Sequence, residues 1–472
     1  MPVDSLHPHY VEMLPDTVMV ADCVSGQSKV KAKRTTYLPG LTDATGVSDE
    51  ARYSKYIARA YFMGVTGRTL DAIKGMAFRK EPAVSLPTAI DYMVEDADGC
   101  GQSLNQIAKQ AFTGLNQAGR YFFLSDYTPV EAGISAEEEA AIGARPYVRC
   151  YPSESVINWK TENNQLILAV LVEAVDIAED EFSHTTAAQY RVLRMRDGVY
   201  TQQLYDHKKQ PITQEITPLQ AGGVPFDHIP LHKAGATSNI PDTLDVPPLF
   251  DMAVLNIAHY QTTADHRENL HVHGQLTLGI TTDLDSQTWK ELYPTGVSVG
   301  ARTGIYLGTT GAFHTATAPE SGSLRIALDD LEKQMVAIGA KLIQRGGSTE
   351  TAEAARIAAS AETSALDDMV TNLSEALESA LEDCAAFGGA NPEEVVYQIN
   401  RDFWESKLDV AALQAIIAGR QAGLLGATDA LHMIRTGKME LREERTDEEI
   451  LLEVADDLLN QLPEAANDTL GV

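Results

Sequence analysis

Paired cysteines, a surplus of basic residues and a membrane-length apolar run are all missing from this chain. Its four cysteines (Cys23, Cys100, Cys150 and Cys384) are scattered with no CxxC pair. That argues against a disulfide framework or a cysteine-based structural zinc site and points to a reducing compartment. Lys and Arg number 37 against 67 Asp and Glu, for a formal charge of −30. Proteins that grip nucleic acid neutralise its phosphates and release counterions, so this balance disfavours a gripping role, although not one of surrounding DNA without holding it. The longest apolar run, 166–172, falls far short of the roughly 20 residues needed to span a bilayer. The opening MPVDSLHPHY places acid and proline where a secretory leader carries basic and then apolar residues. A soluble protein made and used in cytoplasm is expected.

Catalytic signatures are missing as well. There is no GxSxG elbow and no GxGxxG after a strand. Gly346-Gly347-Ser348-Thr349 offers backbone N–H groups at a helix start, but no lysine follows in Walker A position. Asp283 and Asp285 suggest a calcium loop, yet the glycine and closing glutamate of such a loop are wanting. The histidines form one local constellation. His259 and His266 lie seven apart, His271 and His273 follow, and Asp265 or Glu268 would complete a metal site. The spacing is neither i, i+4 nor HExxH, so polar residues on a packed helix is the favoured reading. No catalytic residue, cofactor or metal ligand is assigned.

Hydrophobic content of 44% with 22% charge is that of a globular protein. Apolar periodicity predicts helix over 49–78, interrupted at Gly64 and Gly67 and stopped before Pro82, and again over 104–115 behind Ser103 as cap. From Pro146 the chain turns rich in β-branched and aromatic residues over 147–159, 166–175 and 189–205, the last split by the hairpin signal Asp197-Gly198. A mostly antiparallel β region follows from this, with proline- and glycine-marked loop over 211–230. Pro247-Pro248 opens a long helix that ends at Gly274. An insertion of strands and turns around one short helix near Trp289 comes next, then a helix over 323–343.

The longest helix is expected over 349–387. Ile357, Ala361, Leu366, Met369, Val370, Leu373, Leu377 and Leu381 form its stripe. Nine carboxylates (Glu350, Glu353, Glu362, Asp367, Asp368, Glu375, Glu378, Glu382 and Asp383) against Arg356 alone mark its other face as acidic. A strand over 395–403 and helices over 409–462, broken at Gly426 and Gly437, complete the reading.

Several segments resemble the portal (head-to-tail connector) proteins of tailed double-stranded DNA bacteriophages, the short-tailed type in particular. They include Arg52-Tyr53-Ser54-Lys55-Tyr56, Ala60-Tyr61-Phe62, Thr66-Gly67-Arg68-Thr69-Leu70 and Gly75-Met76-Ala77-Phe78-Arg79-Lys80. Further on stand Tyr147-Val148-Arg149-Cys150-Tyr151-Pro152-Ser153-Glu154-Ser155-Val156-Ile157-Asn158-Trp159, Pro247-Pro248-Leu249-Phe250-Asp251-Met252-Ala253 and Asn256-Ile257-Ala258-His259-Tyr260. The resemblance spans about 51–343 and rests on structural rather than catalytic motifs.

The resemblance implies an α+β, mainly helical portal fold and no enzyme. A ring of about twelve copies closed by a heterologous interface would sit at one capsid vertex of the virion. Its parts would be a wing over 1–243, stem helices over 244–273 and 323–343, a clip over 274–322, a tunnel loop over 344–350, a second wing portion over 351–408 and a crown over 409–472. The tunnel-loop residues would be Lys341, Arg345, Gly346, Gly347, Ser348 and Thr349. Glu350, Glu353, Asp367 and Asp368 would form the acidic helix, and Asp283, Asp285, Trp289 and Tyr293 the docking face of the clip. The partners implied are the terminase large subunit, major capsid and scaffolding proteins, tail adaptors, and duplex DNA passing non-specifically, with host cytoplasm as the place of assembly and no membrane partner. Lys341 and Arg345 have a second reading, as cations capping the stem helix C-terminus. Two other functions stay open on the residues: a metal-dependent enzyme built on His259, His266 and Asp265, and a non-portal virion adaptor.

Overall fold

A computed structural model describes residues 2–40, 49–129, 141–177, 182–274, 277–297, 305–316, 322–343, 364–401, 403, 410–436, 446, 448–449 and 452–455. The chain divides into two compact units, Met1–Asn400 and Arg401–Val472. Both helix and antiparallel sheet are present in the first unit, so the α+β class expected from the sequence holds.

Helix α1 (Pro8–Ser25) begins at a proline, with the His7 ring nitrogen accepting from the His9 amide at 3.2 Å as its cap. No helix is expected there from the sequence reading, and α1 carries Pro15 inside it, where proline ordinarily ends a helix. Helix α2 (Gln27–Ala32) follows directly. The segment read as one interrupted helix over 49–78 is two, α3 (Glu50–Arg59) and α4 (Val65–Ala77). The break covers 60–64, and Gly67 lies inside α4 rather than at the break. A Cβ on Gly67 would stand 3.0 Å from the Val24 carbonyl oxygen, so this glycine lets α4 close on α1.

The three-residue strand β1 (Ala83–Ser85) precedes α5 (Leu104–Ala118). Ser103 and Gln106 form a reciprocal capping box at the start of α5. Gly119 ends it in the left-handed region (φ +75°), where a side chain would also collide with the Asp245 carbonyl.

The β region is antiparallel as expected. Strand β2 (Arg120–Tyr127), which the sequence reading left unassigned, is central in a three-stranded sheet between β3 (Pro146–Pro152) and β8 (Leu231–Gly235). A four-stranded meander joins β4 (Val156–Glu162), β5 (Gln165–Asp176), β6 (Thr186–Arg196) and β7 (Val199–Tyr205). Asp197 and Gly198 both take positive φ at the β6–β7 turn, as a tight right-twisting hairpin requires. Phe122, Tyr151, Trp159, Leu171, Leu193 and Phe226 meet in one core that joins the two sheets.

The helices described next in the first unit are α6 (Phe250–Gly274), α7 (Ser286–Leu292), α8 (Gly322–Ile343) and α9 (Ser364–Gly388). Between α6 and α8, strands β9 (Thr277–Thr281) and β10 (Ala312–Ala316) pair antiparallel. Helix α9 lies across β2, β3 and β8 with Leu366, Met369, Val370, Leu373, Leu377 and Leu381 buried. The predicted stripe therefore faces the sheet wherever it is described. Strand β11 (Val396–Gln398) pairs with β1 and stops five residues short of the expected end, because its partner is only three residues long. In the second unit, α10 (Val410–Gln421) and α11 (Ala427–Thr436) enclose Ile416, Ala430 and Met433, with Gly426 immediately before α11.

Charge is buried where the two sheets meet. The Arg191 guanidinium donates to Glu173 at 2.8 Å and to Gln202 at 2.9 Å, and approaches Asp126 at 3.4 Å. The Tyr151 hydroxyl donates to Glu173 at 2.5 Å. Burial opposes ionisation of Glu173, but Arg191 and Tyr151 together hold its carboxyl below the usual range. A depressed folded-state value stabilises the fold above the unfolded pKa of roughly 4.3. That contribution disappears as pH falls through the folded value. Removing one partner of a buried pair strands the other charge, at about 3–5 kcal/mol. Arg191→Met should therefore lower the unfolding free energy from urea titration by about that amount at pH 7, and its stability should fall less than the wild type's on acidification to about pH 3. Equal slopes in the two proteins would contradict the assignment.

Candidate assembly site

Helix α6 changes character along its length. Up to Ala264 it is packed by α1, α3, α4 and α8, with Met252, Ala253, Asn256, His259, Tyr260 and Thr263 buried. Asn256 closes the α3–α4 break: its side-chain oxygen accepts from the Thr66 amide at 3.2 Å and hydroxyl at 2.9 Å, and its amide donates to the Met63 carbonyl at 2.7 Å. Past Ala264 none of its described residues is buried, and Leu270 and Val272 are exposed.

Helix α8 runs antiparallel to α6. Met252 packs beside Gly339, where an added Cβ would sit 3.4 Å from the methionine methyl, and His259 Nε2 lies 3.5 Å from Glu332. Seven residues forward on α6 thus match seven back on α8. Leu324, Leu328, Leu331, Met335 and Ile338 make the covered or half-covered side of α8 at helical spacing. On the opposite side Ile326 is 62% exposed and Val336 71%.

The insertion beyond the helix pair buries no side chain among its described residues. Asp285 caps α7, accepting from the Gln287 and Thr288 amides at 2.9 and 3.0 Å. Asp283 accepts from the Thr309 amide at 3.1 Å and its hydroxyl at 2.5 Å. The rings of Trp289 and Tyr293 meet at a tilt, with centroids 4.8 Å apart, and the Tyr293 hydroxyl both donates to and accepts from the Tyr306 backbone. Both aspartates are thus committed to local structure. Leu292, Tyr306 and Phe313 are exposed, and Trp289 and Tyr293 are half-buried.

The remaining predicted site residues fall variously. Arg345, Gly346, Gly347, Ser348, Thr349, Glu350 and Glu353 lie outside the described residues, as does the side chain of Lys341 in the last turn of α8. Asp367 and Asp368 stand in the first turns of α9, partly buried and exposed respectively. Asp383, assigned to the acidic outer face, is instead buried against the sheet. The histidine constellation is not assembled. His259 and His266 are seven residues, or about 10 Å of helix, apart. Asp265 accepts from the Tyr56 hydroxyl at 2.5 Å, and Glu268 is engaged by Arg59 and, at 3.7 Å, Arg52. These contacts fasten α3 to α6. The His273 side chain lies outside the described residues.

A different histidine pair converges, one the sequence reading did not single out. His228 Nε2 is 3.1 Å from one oxygen of Asp383 and His232 Nε2 is 2.7 Å from the other. The bond to Asp383 raises the His228 pKa to about 9, against the cost of its own burial. Burial pushes the Asp383 carboxyl up, but the two imidazoles hold it below the usual range. The signal available in the sequence was the four-residue spacing of His228 and His232; Asp383 is about 150 residues further on.

No curated protein matches this chain. A family profile described as a domain of unknown function (DUF4055) matches residues 248–388, which run from the start of α6 to the end of α9. Among solved structures, a chain of the virion of a native gene transfer agent (GTA) particle is 14% identical, covering 82% of this chain and 93% of its own, with a TM-score of 0.42. A chain from the neck of the native GTA particle computed with C12 symmetry is 12% identical over 79% and 89%, at 0.41. One from the neck of the empty GTA particle computed with C6 symmetry is 13% identical over 81% and 92%, also at 0.41. These likenesses are distant.

Gly308 (φ +88°) leaves room for the Asp283 clamp, since a Cβ there would stand 1.6 Å from its carboxylate oxygen. Gly308→Ala should open the insertion to limited proteolysis while shifting the global unfolding midpoint little, because none of the insertion's described residues is buried. A large fall in that midpoint would contradict this picture.

Proposed function

We propose that this chain is a portal-type connector: identical copies close into a ring at one capsid vertex, and duplex DNA passes through the centre. The α6–α8 pair would be the stem and the insertion between them the clip. The terminase motor would dock there during packaging and tail adaptors afterwards, with capsid and scaffolding proteins meeting the wing. ATP hydrolysis would belong to the motor, and this chain would be a conduit.

The observation that carries the reading is the uncovered half of the helix pair. Two antiparallel helices extend past their own chain's cover, end in a module with no buried side chain among its described residues, and present Ile326 and Val336 outward. Burying an aliphatic side chain of that size contributes about 1.5–3 kcal/mol. An array of further copies around an axis supplies that burial at each interface. The sequence resemblance over 51–343 supports the same reading, as does the order of helix, β insertion, helix and long acidic helix. The charge balance fits too. DNA carries one charge per roughly 1.7 Å of axis, so a basic bore would bind it, whereas an acidic wall repels it over about 8 Å at physiological salt and leaves it free to slide.

Native mass spectrometry of the purified full-length protein is expected to give a closed oligomer of about twelve chains. Ile326→Glu with Val336→Glu should shift it to monomer with an unchanged circular dichroism spectrum, since neither side chain supports the fold of a single chain. A wild type found only as monomer or dimer would contradict the proposal.

A further inference from the structure

Asp383 lies on the sheet-facing side of α9 with its side chain 10% exposed. A carboxylate drawn that far out of water is costly unless matched, and what faces it is a pair of imidazoles. His232 comes from β8, where it pairs with Phe123 of β2, and His228 from the turn that leads into that strand. The donor atoms of the three side chains all lie within 4.8 Å of one another.

The surroundings are those of a ligand set rather than a chance ion pair. The far nitrogen of His228, Nδ1, is 2.9 Å from Asp227. A carboxylate on the outer nitrogen fixes both tautomer and ring orientation, and raises the basicity of the inner nitrogen toward a metal. The backbone beneath is held at both ends. The Ser125 amide donates to the Pro230 carbonyl at 2.9 Å, and its hydroxyl donates to the Ala380 carbonyl, three residues before Asp383, at 2.7 Å. Phe226, buried and 4.6 Å from Phe387, closes the apolar side. The His228 side chain is 40% exposed, which leaves an entry from solvent.

We infer that His228 Nε2, His232 Nε2 and one oxygen of Asp383 bind a single transition-metal ion of the zinc class, with water in the remaining position. Two imidazole nitrogens and one carboxylate oxygen suit zinc, cobalt or nickel, whereas magnesium and calcium take oxygen donors. A tetrahedral site with bonds of about 2.0–2.1 Å sets its donors roughly 3.3 Å apart. His228 Nε2 now faces one Asp383 oxygen at 3.1 Å and His232 Nε2 the other at 2.7 Å, so rotations of the carboxylate and the two rings bring both nitrogens and a single oxygen around one ion. Protons on the two Nε2 atoms pass to solvent as the ion takes their place. Bound there, the ion staples α9 to β8, and so ties the end of the long helix to the sheet body. This inference stands independently of the portal reading.

The test uses the full-length protein stripped with a chelator and titrated with Co²⁺, then with Zn²⁺. One cobalt per chain is expected, with the intense visible bands of a low-coordinate site, displaced by zinc and accompanied by a higher unfolding temperature. Asp383→Asn should weaken cobalt binding by more than about a hundredfold, and so should His228→Gln, whose partly exposed position keeps the fold intact. Asp227→Asn should weaken it by about tenfold, as loss of an orienting carboxylate does. No cobalt bands up to millimolar concentration, or the same affinity in His228→Gln as in the wild type, would overturn the inference.

Discussion

A single chain has no means of covering α6 along its whole length. Its 25 residues make a rod of roughly 37 Å, and among its described residues none beyond Ala264 is fully buried. The antiparallel partner α8 covers one side and leaves Ile326 and Val336 outward. The insertion at the tip has aromatic residues and, among its described residues, no buried side chain. Apolar surface in that arrangement calls for more protein around it, and the proposed assembly follows from that demand.

The rest of the first unit fixes the direction in which the rod points. Asn256 satisfies the open backbone between α3 and α4, Tyr56 and Arg59 reach across to Asp265 and Glu268, and Gly67 lets α4 approach α1. These contacts sit at the covered end, so they set an orientation and leave the far end free for neighbours. The sheets provide a stiff base through a different device. Lys233 and Asp245 are fully buried at 2.9 Å, and Lys233 also donates to the Ile240 and Thr243 carbonyls. Buried pairs of this kind contribute little net stability but penalise misaligned packing. A precise base and an unfinished stem suit a subunit whose remaining contacts come from copies of itself.

Local signals in the sequence carried most of the element order. Asp197-Gly198, the cap Ser103 and the Leu366–Leu381 stripe each act within a few residues and stand where expected, and the helix announced by Pro247-Pro248 starts just after them, at Phe250. The misses have particular causes. Proline at position 15 concealed α1, since its cost is met by packing that only the folded chain supplies. β11 was cut short by a partner strand some 300 residues away. Asp383 looked like one more solvated acid in an acidic helix, and only the fold brings His228 and His232 to it. Asp283 and Asp285 hold a turn and cap a helix inside the insertion, roles that their spacing alone did not show. Periodicity marks faces, but not what covers them.

A three-dimensional reconstruction of the assembled protein by electron cryomicroscopy tests the central claim most directly. The account predicts a ring with an open bore, in which the side of α8 carrying Ile326 and Val336 is buried against the next copy and carboxylates outnumber cations along the wall. A reconstruction without a central hole, with that side of α8 facing solvent, or with a wall composed mainly of lysine and arginine would contradict it.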